Sequence, residues 1–221
     1  MSFALNLKNE LLQHNLLNHC FYKMWTNGEI KLSTLQDYSK KYLFQVMNLP
    51  TYISATHSIT EDYKARKILT ENLADEELGE KDHVSLWKDF CFGLGISENE
   101  LNSAKLEGAM AKLVQTCKFY ASKSSAAGFG VLYAQEHNYA NIATSKKEGL
   151  EKHFDMKSEH TNFFSVHEKA DVWHAEQVEK LLNTLTESEQ AEAKEAGIAV
   201  MKGLNAFLDE MLFIENSTTI N

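Results

Sequence analysis

The chain has 221 residues, 43% of them hydrophobic and 24% charged, which suits one globular domain with a sizeable core. A formal net charge of −9, with no basic patch interleaved with aromatics, argues against a nucleic-acid partner. A single proline, Pro50, and ten glycines point to long helices, and no apolar run approaches the roughly 18 residues of a membrane span.

The first segment, about Phe3 to Met24, alternates leucine pairs with polar residues at helical spacing and closes at Asn27-Gly28. Ser33 is placed to cap a second helix through Tyr38, Tyr42 and Val46, which Pro50 is expected to kink rather than end. A third helix runs from Ile59 to Leu78, with Gly79 as its stop, and another restarts at Asp82 and ends at Gly93 and Gly95. Ser97-Glu98-Asn99-Glu100 has the form of a capping box. After a helix from about Lys105 to Lys123 come the small residues Ser124 to Gly130, which allow close helix approach and so predict a central helix continuing through Ile142. Gly149 and Phe154-Asp155 mark the next break, and helices from about Thr161 to Leu185 and from Thr186 to Phe213 complete the chain. The expectation is one all-α domain of about seven helices over residues 1–213, with a polar tail over 214–221.

Cys20, Cys91 and Cys117 are odd in number and widely spaced, with no CxxC pair, as expected of thiols in a reducing compartment. The N-terminus lacks a basic region followed by an apolar core, so no secretory signal is expected. A cytoplasmic protein is the expectation; a specialised secretion route would leave no mark of this kind.

Chemistry concentrates in His167-Glu168-Lys169-Ala170-Asp171-Val172-Trp173-His174. Four, three and seven residues fall on one helix face, so His167, Asp171 and His174 point the same way. Two imidazoles with one carboxylate suit non-haem iron best, with manganese or zinc as alternatives. A solvated polar face is the competing account, since Glu168, Lys169, Glu176 and Glu179 supply one. Two further places can complete a site. Glu76 and His83 are again seven apart, and Glu136 stands in an otherwise apolar helix, where a carboxylate is costly unless paired or bound to a cation. Three carboxylates carry a charge of about −3, nearly balancing two divalent cations, and helical bundles build dinuclear sites from such inward ligands. The Glu-x-x-His signature of many such sites is absent. Glu76 also lies in the acidic run Asp75-Glu76-Glu77, and Asp82-His83 also fits a helix cap, so solvation or capping remain open for them. His14, His19, His57, His137, His153 and His160 lack partners in the same pattern.

Nearly the whole chain, from about Leu11 to Leu212, resembles a known family. The marks are Phe21-Tyr22 followed by Trp25 and Gly28, then Ala65 to Leu69, and Asn72-Leu73-Ala74-Asp75-Glu76-Glu77. His83 with Leu86-Trp87-Lys88, Ser125 to Gly128, Leu132-Tyr133 before Glu136, and the His167-x3-Asp171-x2-His174 segment follow. The sequence resembles the CADD-like proteins (chlamydial proteins associating with death domains) of the haem-oxygenase-like, TenA/PqqC-related diiron oxidase superfamily. The resemblance implies a haem-oxygenase-like bundle and metal ligands at Glu76, His83, Glu136, His167, Asp171 and His174, the six that charge and spacing also select. It implies two metal ions, iron with iron or iron with manganese, with dioxygen and an external reductant as co-substrates. The implied activity is a self-sacrificing synthesis of para-aminobenzoate for folate, with Tyr22 as ring source and Lys146 as amino donor. Core packing of Tyr22 and a surface charge for Lys146, beside Lys147 and Glu148, are the plainer accounts. Tyr38 and Tyr42 resemble family tyrosines that relay electrons, and core packing serves equally well for them.

Two departures stand out. The tail 215–221 lacks the cysteine-rich ending of the chlamydial protein, which puts a death-domain partner in doubt, and the loop from Gly79 to His83 has no proline. Two other functions compete: a metal-free TenA- or PqqC-like enzyme acting on a small heterocycle, and a death-domain-binding protein. The six-ligand set argues against the first, since a metal-free pocket needs no such donors. A homodimer is expected from the superfamily.

Overall fold

The computed structural model describes residues 2–78 and 81–217, with the side chains of 169–172 outside the described set. Among the described residues all regular structure is helical: α1 (Phe3–Leu11), α2 (Cys20–Asn27), α3 (Leu32–Ile59), α4 (Tyr63–Glu77), α5 (His83–Gly93), α6 (Glu98–Ser103), α7 (Gly108–Ala121), α8 (Ser125–Glu136), α9 (Tyr139–His153), α10 (Ser158–Leu182) and α11 (Glu187–Ser217). The all-α expectation holds. The count of about seven does not, because long expected helices are broken by local side-chain bonds.

The first of these breaks at Asn15, whose Oδ1 accepts the Leu17 N–H at 3.0 Å, and at His19, whose Nδ1 accepts from Phe21 N at 3.2 Å and opens α2. Such side-chain-to-backbone bonds compete with the helical ladder. Gly28, at φ +70°, closes α2 in the left-handed conformation the Asn-Gly turn implied. Pro50, by contrast, leaves α3 unbroken over 28 residues. An interior proline costs about 3 kcal/mol. Burial of Tyr38, Leu43 and Val46 on one side and Tyr52 and Ile53 on the other offsets it, at about 1.5–3 kcal/mol per large apolar side chain.

Two caps are as expected: Asp82 Oδ1 accepts from Ser85 N at 2.6 Å, and Ser97 with Glu100 forms a capping box. The helix expected to continue through Ile142 instead ends at Glu136 and restarts at Tyr139. His137 ends it by turning Nδ1 back onto the carbonyls of Tyr133 and Ala134, each 3.1 Å away. α11 outlasts its expected end at Phe213 and runs to Ser217. Its Glu215 is buried, accepts from Lys31 N at 3.1 Å and pairs with Lys31 Nζ at 3.4 Å, so the polar tail is shorter than the sequence suggested.

The core is organised on α8, in which ten of twelve residues are buried. It packs against α3, α10 and α11. A Cβ on Gly130 would lie 2.1 Å from the Ala193 carbonyl oxygen, and one on Gly197 would lie 3.3 Å from the Gly130 oxygen. The small residues Ser124 to Gly130 thus let α8 and α11 meet backbone to backbone, as the composition of that stretch predicted. This close approach sets how deep Glu136, the last residue of α8, reaches into the bundle.

Candidate metal centre

Glu76 sits in the last turn of α4, and His83 is the first residue of α5, whose N-terminus Asp82 caps. His83 Nδ1 lies 2.6 Å from Glu76 Oε2, and both side chains are buried. Burial works against the imidazolium of His83, but the hydrogen bond and charge of Glu76 outweigh it, and the net shift is upward. The acidic run holding Glu76 is therefore not a solvated face at that position.

α10 brings His167 to the same place: its ring lies 4.4 Å from that of His83. His167 Nδ1 donates to the Phe163 carbonyl at 2.6 Å, one turn back on its own helix, which leaves Nε2 with the lone pair. Burial, then the neighbouring His83, push its pKa down to about 3, so the ring is neutral. One donor atom from each of Glu76, His83 and His167 falls within a 4.8 Å sphere of separations.

Glu136 is buried on the wall of the cavity that Glu76 and His167 also line, outside that group of three. Its Oε1 accepts from Asn72 Nδ2 at 2.8 Å, while its buried Oε2 has no hydrogen-bond partner among the described residues. Burial, reinforced by the charge on Glu76 and opposed by the Asn72 bond, pushes this carboxyl up to about 8. His174 is buried on α10, with Nε2 2.9 Å from Asp75 Oδ2. Asp171, the remaining expected ligand, lies outside the described residues. A buried carboxyl oxygen of Glu136 without a hydrogen-bond partner among the described residues, beside the neutral ring of His167, is costly unless a cation satisfies it. This donor set of carboxylate oxygen and imidazole nitrogen fits iron or manganese.

A second cluster lies alongside. Lys146, on α9, is 2% exposed, which overturns the surface-charge account. Its Nζ donates to Tyr38 Oη at 2.8 Å and lies 4.9 Å from the centre of the Tyr22 ring. Tyr22 and Tyr38 are themselves hydrogen-bonded at 3.2 Å, and Trp25 Nε1 donates to the Lys146 carbonyl at 3.2 Å. Burial pushes the amine down to about 7, and no described carboxylate lies within ion-pair distance. The phenols of Tyr22 and Tyr38 are shifted upward, first by burial. Tyr42 stacks on Tyr38 at 5.4 Å. Tyr139 links the clusters, its ring 5.2 Å from His167 and 5.7 Å from Lys146 Nζ. One cavity has Tyr22, Tyr42, Glu76, Glu136, Tyr139 and His167 among its walls.

Asn72, Asp75 and Tyr139 were not singled out as site residues from the sequence. Asn72 is four residues before Glu76 and Tyr139 seven before Lys146, so helical spacing from known site residues would have found both.

Residues 36–208 match a family model described as an iron-containing redox enzyme. The chain belongs to that family. It is therefore an enzyme with a haem-oxygenase-like fold, as the sequence resemblance implied. The chain is 36% identical over 214 residues to a 4-aminobenzoate synthase of Chlamydia trachomatis, covering 96% of this chain and 93% of that one. It is 34% identical over 223 residues to a 4-aminobenzoate synthase of Nitrosomonas europaea, covering 94% and 90%. Solved structures agree on the fold. A haem-oxygenase-like domain of unknown function from Shewanella denitrificans superposes with a TM-score of 0.81 at 14% identity, covering 98% of this chain and 92% of that one. A CADD-like protein of unknown function from Nostoc punctiforme gives 0.77 at 16% identity, covering 96% and 98%. No described helix is long and apolar enough to cross a membrane.

Proposed function

We propose that this enzyme makes 4-aminobenzoate, the precursor of folate named in the sequence resemblance, from its own Tyr22 ring and Lys146 amine. The proposed metal ligands are Glu76, His83, Glu136, His167, Asp171 and His174, holding two ions, iron with iron or iron with manganese. The names of the relatives support the product, and one observation carries the assignment of atoms. A buried amine with no carboxylate partner among the described residues stands 4.9 Å from a buried tyrosine ring on the wall of the cavity that also reaches Glu76, Glu136 and His167.

A tyrosine side chain already has the carbon skeleton of the product: a ring with one carbon para to a heteroatom. What must change is oxygen to nitrogen at Cζ, with the Lys146 Cε–Nζ bond broken and the phenol oxygen leaving as water, and oxidation of Cβ to a carboxylate with cleavage of the Cα–Cβ bond. Dioxygen is the oxidant and an external reductant supplies the balancing electrons. A bound iron centre supplies the one-electron chemistry by which dioxygen is put to use.

The chain's own residues do the rest. Burial keeps a large fraction of Lys146 uncharged near neutral pH, and only the free amine has a lone pair to give. Tyr38 accepts the amine's hydrogen at 2.8 Å and so fixes Nζ against the Tyr22 ring. Trp25 anchors the Lys146 backbone, and the aromatic walls keep water from the phenol. Tyr22 and Tyr38, in hydrogen-bond contact, can pass a proton between their oxygens.

The test is intact-mass analysis alongside product assay, with iron, dioxygen and reductant, on wild type, Tyr22→Phe and Lys146→Arg. Product in the wild type, with matching mass changes at both Tyr22 and Lys146 and none in either variant, is expected. Product released without any change in chain mass would show that an external aromatic substrate is used instead.

A further inference from the structure

We propose that Asp75 is a positioning residue for the metal centre, fixing His174 in the tautomer whose Nδ1 is the metal-binding nitrogen. The proposal rests on the ligand set proposed above. Asp75 is in the last turn of α4 and His174 in α10, and Asp75 Oδ2 lies 2.9 Å from His174 Nε2. The ring is 1% exposed and the carboxylate 55% exposed, so the bond runs from a buried imidazole outward to a group at the surface. A carboxylate only accepts, so the ring nitrogen facing it bears the hydrogen, and in the neutral ring Nδ1 bears the lone pair. A metal-binding histidine commonly donates its other N–H to such a partner, which fixes the tautomer and raises the basicity of the ligating nitrogen.

His167 is held the opposite way. The Phe163 carbonyl takes its Nδ1 hydrogen at 2.6 Å and leaves Nε2 with the lone pair. Two histidines seven residues apart on one helix face thus offer different ring nitrogens. The partner of His167 lies back along its own backbone, while the partner of His174 comes from the neighbouring helix, so only the second arrangement depends on α4. α4 also carries Glu76, next to Asp75. The pairing therefore ties the seating of one helix to ligands on two. A plain helix-to-helix tie would change melting temperature alone, whereas a tautomer lock also changes the nitrogen environment of the ring and the affinity for metal.

The experiment uses the full chain labelled with 15N-histidine, as wild type, Asp75→Ala and Asp75→Asn, with His174→Gln to identify the ring. Two-bond 1H–15N spectra of the metal-free proteins read the tautomer directly. Cobalt(II) titration against a chromophoric chelator without oxygen reads affinity, and circular dichroism melts confirm folding. The wild type and Asp75→Asn, whose amide oxygen still accepts, are expected to hold His174 as the Nε2–H form. Asp75→Ala is expected to show mixed tautomers and about 10- to 100-fold weaker cobalt binding. A single unchanged tautomer in Asp75→Ala, or unchanged cobalt affinity in it, overturns the proposal. A wild-type chain that binds no cobalt overturns the ligand set, and the proposal with it. Failure of 4-aminobenzoate formation leaves both readouts intact.

Discussion

Lys146 and Tyr22 come from helices more than a hundred residues apart in the chain, yet the amine nitrogen of one lies 4.9 Å from the ring centre of the other. Neither side chain has a charged partner among those described, and both are buried. A lysine placed there lowers stability, and the first prediction follows from its titration.

Free lysine titrates near 10.5, and burial lowers Lys146 to about 7. Between those values the unfolded chain binds more protons than the folded one, so stability rises with pH across that window. Lys146→Met removes the slope. At about 1.4 kcal/mol per pKa unit, less the lost bond to Tyr38, the variant should gain about 3 kcal/mol near pH 7. The gain should shrink toward zero as pH approaches 10.5. Urea denaturation at pH 7 and pH 9.5 checks this, and parallel curves for the two proteins would refute it.

Tyr38→Phe removes the oxygen that accepts from Lys146 and contacts Tyr22. The amine is left buried without its acceptor, at a cost of about 1–3 kcal/mol. Product formation should fall at least tenfold while iron stoichiometry stays at the wild-type level. Metal analysis beside product assay separates the two effects.

Glu136→Leu should act in opposite directions with and without metal. In the metal-free chain it removes a buried carboxyl with an unpartnered oxygen, and the variant should melt at or above the wild-type temperature. With iron loaded anaerobically, the wild type should gain stability that the variant does not. Paired melts with and without iron decide it; equal iron-induced shifts in both proteins would exclude Glu136 from the ligands.

Gly130→Ala places a methyl group 2.1 Å from the Ala193 carbonyl oxygen. α8 and α11 must separate, and overpacking of this kind costs about 1–3 kcal/mol. Chemical denaturation gives the value. Because Glu136 ends α8, iron affinity should fall as well, although the substitution is six residues away from it.

The candidate ligands were legible because helix periodicity turns spacing into facing: His167 and His174 share a face whatever surrounds them. Glu136 was legible through its apolar neighbours. Lys146 was singled out only through the family resemblance, because Lys147 and Glu148 beside it look like a solvated surface and its burial comes largely from α2 and α3, far away in sequence. The break after Glu136 was also hidden, since it depends on His137 bonding back to its own helix, a choice that propensity leaves open. Pro50 does not end α3, as the resumption of the apolar pattern beyond it implied.

The bend at His137 and Asn138 decides how Glu136 and Lys146 stand relative to one another. Ten residues of unbroken helix would hold Glu136 and Lys146 about 15 Å apart along one axis. With the chain turned there, Glu136 lines the cavity that Tyr22 also lines, and Lys146 Nζ lies 4.9 Å from the centre of that Tyr22 ring. A single substitution that straightened this corner would leave both side chains in the sequence while carrying Lys146 away from the cavity that Glu136 lines.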